Sequence, residues 1–206
     1  MTKILLVRHG HVEGVSPERF RGREDIPLTE KGVVQAQALA QRIKRDWRPD
    51  AIYTSPLKRC IATADAIAAA TAAPVHTMEN LADIDYGAWQ WRTLADVGEQ
   101  APALLGMWRF APQLVRFPDG ESLQDLLART ADALRFALDH CHDQTIVFVA
   151  HDAVNRAILV QALDQPLSAY WKLAQDPGAL NELEITRAHV RVIRVNDASH
   201  LSEARD

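Results

Sequence analysis

Ile4, Leu5, Leu6 and Val7 form an unbroken apolar run that leads directly into Arg8 and His9. A run without alternation predicts a strand buried on both faces, as in a parallel sheet. The polar, arginine-rich stretch from His11 to Pro27 predicts a loop. Apolar residues return at Ala36, Leu39, Ala40 and Ile43, the spacing of an amphipathic helix. Thr29 is placed to cap that helix, which extends to about Arg45. Asp50–Ser55 predicts a second strand. Pro56 suits the first turn of a helix running to about Ala70, with Cys60, Ala64 and Ile67 on one face.

From about Ala82 to Gly120 this rhythm breaks, and three of the five tryptophans fall there. The stretch predicts a small cap insertion packed over the sheet's edge. Ser122 with Asp125 three residues on is a capping-box signal for a long helix, whose buried stripe is predicted at Leu127, Ala131, Leu134 and Leu138. A third buried strand is expected at Thr145–Ala150, then an apolar helix from Val154 to Leu163. Two final strands are expected at Leu180–Ile185 and His189–Val195. The polar residues after Asn196 predict a mobile tail. This alternation predicts an α/β fold: a three-layer sandwich with a mostly parallel sheet and helices on both faces, built as one domain over 1–206.

In such sheets ligands bind beyond the carboxyl ends of the strands. Arg8 and His9 follow the first strand, Ser55, Lys58 and Arg59 the second, and His151 the third. Two histidines and two arginines from distant segments thus converge on one edge.

Bulk properties narrow the setting. A length of 206 residues fits one domain, and 48% apolar residues suffice for a core. The net charge of −4 argues against a general nucleic-acid binder. Two cysteines, Cys60 and Cys141, indicate no disulfide framework and favour a reducing compartment. The first apolar run is too short for a signal peptide, and no stretch approaches the ~18 apolar residues of a membrane span. A cytoplasmic, soluble protein with no membrane partner is the expectation.

The converging residues suit phosphoryl chemistry. Arginine grips phosphoryl oxygens with a planar fork of donors and stabilises charge that spreads in the transition state. A neutral imidazole can attack phosphorus and carry the group covalently, and neighbouring arginines disfavour the imidazolium. A second histidine, if protonated, adds a donor. A carboxylic acid must protonate the leaving alkoxide and later take a proton from water. Fixed cations do the neutralising, so neither a metal nor another cofactor is expected.

The ordered segments Leu6-Val-Arg-His-Gly10, Gly22 to Gly32, Tyr53 to Ala64, Asp83 to Trp89, Pro118 to Ser122 and Val147 to His151 resemble the histidine phosphatase superfamily, in its phosphoglycerate-mutase-like branch. The likeness runs from about residue 3 to 195. It implies that His9 is the phosphorylated nucleophile, that Arg8, Arg59 and His151 complete the phosphate pocket, and that Asp83 is the acid and base. Aspartate replaces the family's usual glutamate at 83, so Asp85 and Glu121 stand as alternatives for that role. His11, Val15, Trp91 and Asp152 also depart from the family pattern. Arg21, Gly22, Glu121 and Asp152 are the candidates for substrate contact at the rim.

Other features have plainer readings. Arg19, Arg21 and Arg23 read first as a solvated basic loop, and Cys60 as core. His140 and His142 lack further metal ligands. Trp89 and Trp108 are candidates to line the pocket. Three functions remain open: a phosphatase acting on a small phosphorylated metabolite, a mutase of the phosphoglycerate type, and a non-catalytic phosphate sensor. The resemblance leaves sugar phosphates, phosphoserine, phosphoglycerate derivatives and nucleotide-loop phosphates as substrates, and includes homodimers.

Overall fold

A computed structural model describes residues 1–204. Its centre is a six-stranded sheet in the order β3-β2-β4-β1-β5-β6. The strands are β1 (Thr2–Arg8), β2 (Ala51–Thr54), β3 (Val75–Thr77), β4 (Thr145–Ala150), β5 (Leu180–Ile185) and β6 (Val190–Asp197). β1 to β4 run parallel, β5 lies antiparallel to β1, and β6 antiparallel to β5. The sheet is therefore mostly parallel, as expected.

Side chains alternate across each strand, which splits the interior into two cores. Leu5, Val7, Val147 and Val149 pack with Leu39, Ile43, Cys60 and Ile67, from α1 (Glu30–Asp46) and α2 (Lys58–Thr71). Ile4, Leu6, Ile146 and Phe148 face the opposite way, against α5 (Leu123–His140) and α6 (Asp152–Ala162). Helices thus cover both faces, completing the three-layer sandwich.

Most predicted elements fall in place. Thr29 caps α1 by accepting from the Gly32 amide, and the Ser122–Asp125 capping box opens α5. The stripe predicted on α5 is displaced. Leu123, Leu126, Thr130, Ala133 and Ala137 are buried, while Leu134 and Leu138 only border the core. Thr130 sits in the stripe because its hydroxyl donates to the Leu126 carbonyl at 2.9 Å, so a polar residue is satisfied there. α2 begins at Lys58, beyond Pro56. Its open N-terminus is capped from outside by Asp25, whose Oδ1 accepts from the Lys58 amide at 2.7 Å. β3 escapes sequence reading because three exposed edge residues carry no periodicity.

The expected mobile tail is instead docked. Arg42 of α1 holds Asp197 at 2.7 Å and Ser199 at 2.6 Å, and Ala198 and Leu201 are buried beside Ala38. Arg205 and Asp206 lie outside the described residues.

Residues 82–120 form α3 (Leu94–Gln100), α4 (Pro102–Phe110) and short turns. Trp89, Trp108 and Phe117 join the same apolar cluster as Ile4 and Phe148, so this stretch is continuous with the main core. At the first turn of α1, Gly10 and Gly32 bring two backbones into direct contact. A Cβ on Gly10 would overlap the Gly32 carbonyl, and one on Gly32 the His11 carbonyl.

Candidate active site

Parallel pairing of β1 with β4 creates the centre. Arg8 is in register with Ala150, so the next residue on each strand, His9 and His151, emerges side by side. The His9 amide continues the ladder to the Ala150 carbonyl at 3.1 Å. The two rings meet edge to face with centroids 5.2 Å apart. Ser55, one residue beyond β2, completes the row, its Oγ 2.8 Å from His151 Nε2.

His9 is 2% exposed, and its Nδ1 donates to the Gly10 carbonyl at 2.7 Å. Burial first, then the charges of Arg59 and Arg8, hold this imidazole well below the usual histidine range. It is therefore neutral near pH 7, with the Nε2 lone pair available. His151 is held low for the same reasons, with Arg59 the main charge. Its Nδ1 accepts from Arg59 Nε at 3.2 Å, which leaves its single proton on Nε2, facing Ser55.

Arg59, in the first turn of α2, is fully buried. Its Nη1 and Nη2 donate to the carbonyls of Glu24 at 2.7 Å and Gly22 at 2.6 Å. The loop before α1 is thus strapped onto the guanidinium. Gly22 can present its carbonyl there because its φ is 46°, a value that favours glycine. Arg8 is held by the Gln175 carbonyl, while its buried Nε has no hydrogen-bond partner among the described residues.

Asp83 joins this group. Its Oδ2 lies 3.1 Å from Arg59 Nη2 and 3.5 Å from His151 Nδ1, and its Oδ1 accepts from the Ile84 amide at 2.9 Å. Burial pushes its carboxyl up, against the opposing pull of Arg59. A raised carboxyl beside a neutral imidazole is the pairing an acid–base step requires. Asp83 also lines a cavity of about 220 Å³, together with Phe20, Arg21, Tyr86, Trp108 and Asp152. It links the buried histidines and arginines to a chamber open to a leaving group.

The remaining candidates divide. Arg21 lines the cavity and is anchored on the Gly14 carbonyl at 2.6 Å. Asp152, the first residue of α6, lines it too and lies 2.9 Å from Arg156 Nε. Gly22 contributes a carbonyl to Arg59. Glu121 is absent from the cavity wall. Its oxygens are taken by Arg129 at 2.9 and 3.0 Å, Arg23 at 3.2 Å and the Asp85 amide at 2.9 Å. Asp85 is spent on the turn at Gly87, accepting from that amide at 2.8 Å. Neither carboxylate is placed to replace Asp83.

The basic loop is only partly solvated: Arg23 is exposed, as its sequence suggests, while Arg19 and Arg21 are half-buried. Arg19 donates to the Trp91 carbonyl at 2.7 Å and stacks 5.2 Å over the Trp91 ring, and Arg23 reaches Glu121. Trp108 lines the cavity, whereas Trp89 is core. Sequence reasoning placed Ser55 at a strand end without giving it a role, and did not single out Gln175 or the cavity-lining Tyr86 and Trp171. Their contacts depend on chain folding and leave no local pattern. Cys60 is buried, with its thiol pushed up by that burial.

Comparison with known proteins agrees with this geometry. The chain is 32% identical over 203 residues to phosphoserine phosphatase 1 of Hydrogenobacter thermophilus, covering 98% of this chain and 96% of that one. It is 33% identical over 214 residues to a probable phosphoglycerate mutase of Proteus mirabilis, covering 98% and 96%. The structure of YhfR from Bacillus stearothermophilus superposes with a TM-score of 0.93 at 27% identity, covering 98% of this chain and all of that one. With residues 4–198 matching the histidine phosphatase superfamily (branch 1), the chain belongs to that family.

Proposed function

We propose that the chain hydrolyses small phosphomonoesters through a phosphohistidine on His9, without a metal ion. The observation that carries this reading is the meeting of Asp83, Arg59 and His151 within 3.5 Å, with Asp83 the member that reaches the cavity wall. His9 Nε2 attacks phosphorus, a P–N bond forms and the ester P–O bond breaks. Asp83, protonated, gives its proton to the leaving alkoxide. Water then attacks the phosphohistidine while Asp83 takes its proton. The P–N bond breaks, inorganic phosphate leaves, and the Nε2 lone pair is restored. Arg8 and Arg59 neutralise the phosphoryl oxygens throughout, and a bound dianion would favour an added proton on His151.

Phosphoserine is the first substrate to test. A relative of this chain carries that activity in its name, and the cavity wall offers both arginine (Arg19, Arg109) and carboxylate (Glu18, Asp152) to a leaving group of mixed charge. The cytoplasm is the proposed location, which the two free, buried cysteines suit. Among the described residues no helix is long and apolar enough to cross a membrane.

The mutase reading is favoured by relatives named probable phosphoglycerate mutase. One assay separates the two: phosphate release from phosphoserine, sugar phosphates and an aryl phosphate, beside 3-phosphoglycerate supplied with a trace of the 2,3-bisphosphate. The phosphatase releases phosphate and keeps activity in chelator. Rapid formation of 2-phosphoglycerate with little free phosphate would select the mutase, and no turnover of any ester would leave a phosphate sensor.

A further inference from the structure

We propose that Arg129 is a positioning residue for proton transfer, holding the backbone of residues 80–83 where Asp83 reaches the leaving group, with Glu121 locking its guanidinium. The proposal rests on the reading of Asp83 as proton donor.

The segment bearing Asp83 lies between two short turns, Glu79–Leu81 and Gly87–Trp89, and has no strand or helix to satisfy its carbonyls. Arg129, on α5, supplies most of the missing donors, and Arg23 Nε adds a longer bond to the Asp83 carbonyl at 3.3 Å. Arg129 Nη1 donates to the carbonyls of Asn80 at 2.9 Å and Ala82 at 2.6 Å, and its Nη2 to that of Asp83 at 3.0 Å. Asn80 returns a bond from its side-chain amide to the Arg129 carbonyl at 3.1 Å. The fork is held by Glu121, 2.9 Å from Nε and 3.0 Å from Nη2. Glu121 also accepts from the Asp85 amide at 2.9 Å, so the clamp grips the chain on both sides of Asp83.

Arg129 lies outside the cavity wall, and its hydrogen bonds reach the site through the backbone that carries Asp83; its charge also bears on His151, an effect a lysine would retain. An aspartate is one methylene shorter than a glutamate, so the backbone sets where its carboxyl lies, with little slack. Lysine keeps the charge but offers its donors from a single point, which cannot span three carbonyls and a carboxylate.

The test compares an alkyl phosphate with 4-nitrophenyl phosphate, whose leaving group needs little protonation, for wild type, Arg129→Met, Arg129→Lys, Asp83→Asn and Arg129→Met combined with Asp83→Asn. Displacing a reacting group by about 1 Å can cost about 100-fold. Both Arg129 variants are therefore expected to lose about 10- to 100-fold in kcat on the alkyl ester, under about threefold on the aryl ester, and to keep KM within about twofold. In the Asp83→Asn background, Arg129→Met should cost little more, since both act on one step. Rescue by lysine would assign the effect to charge and overturn the proposal. Equal losses on both esters, or full additivity with Asp83→Asn, would do the same. If the Arg129 variants fail to fold, Glu121→Gln keeps one acceptor oxygen but turns the other into an NH2 donor, which weakens the lock, and a smaller loss confined to the alkyl ester is expected. Equal losses in Asp83→Asn alone would refute the proton-donor reading, a result visible without any Arg129 variant, and would take this proposal with it.

Discussion

The Nδ1 atom of His9 donates to the carbonyl oxygen of Gly10 at 2.7 Å. A carbonyl can only accept, so the proton of the neutral ring resides on Nδ1 and the lone pair on Nε2. The phosphoryl group is therefore expected on Nε2. Rapid quench with labelled substrate, followed by phosphorus NMR of the trapped protein, distinguishes the two nitrogens. His9→Ala should lose the label and at least about 10³-fold in kcat. Label at Nδ1, or on another residue, would contradict the assignment.

Asp83→Asn keeps shape and removes the transferable proton. Turnover of alkyl phosphates should fall about 10²- to 10⁴-fold, with a much smaller loss on 4-nitrophenyl phosphate. The slope of log kcat against leaving-group pKa measures this directly and should steepen in the variant. An unchanged slope would exclude Asp83 as proton donor.

The two perturbed groups set the pH profile. His9 must be neutral to attack, so activity rises as pH climbs through its lowered value. Asp83 must be protonated to release the leaving group, so activity falls as pH climbs through its raised value. Burial is the main cause of both shifts. The kcat/KM profile should accordingly peak on the acid side of neutrality, and Asp83→Asn should lose the alkaline limb. A maximum above about pH 8 would be incompatible with this pair.

Stability should respond separately at the docked C-terminal segment. The hydrogen bond from Arg42 holds the Asp197 carboxyl far below the usual carboxylate range. A carboxyl lowered by folding contributes stability above its unfolded value, about 3.9, and loses it as pH falls toward the folded value. Asp197→Asn should cost about 1–3 kcal/mol at pH 7, and the gap from wild type should narrow below about pH 4 in denaturant titrations. A gap independent of pH would assign the cost to packing.

Much of the fold was legible in the sequence because the signals are local. Unbroken apolar runs marked β1 and β4, and Thr29 and Ser122 marked helix starts. The positions just past the strand ends located Arg8, His9, Arg59 and His151, because parallel strands share one carboxyl edge. The rest depended on contacts between distant segments. Glu121 was expected at the substrate but is consumed by Arg129, and Asp25 caps α2 across 33 residues. The polar end of the chain looked free because the partner of Asp197, Arg42, lies on a helix near the opposite terminus. A polar residue reads as exposed until the chain has folded a partner against it.

The touching backbones at Gly10 and Gly32 bear on how this enzyme's important residues can be mapped. Neither glycine offers a side-chain atom to a reaction, yet any side chain there would wedge the loop after His9 away from α1. A mutational survey scored on turnover alone would rank both beside His9. Scored on protein abundance as well, the two classes part: His9 variants accumulate as folded, inert protein, whereas glycine variants are depleted from the soluble fraction. Intolerance to change at this corner of the molecule is a matter of excluded volume as much as of chemistry.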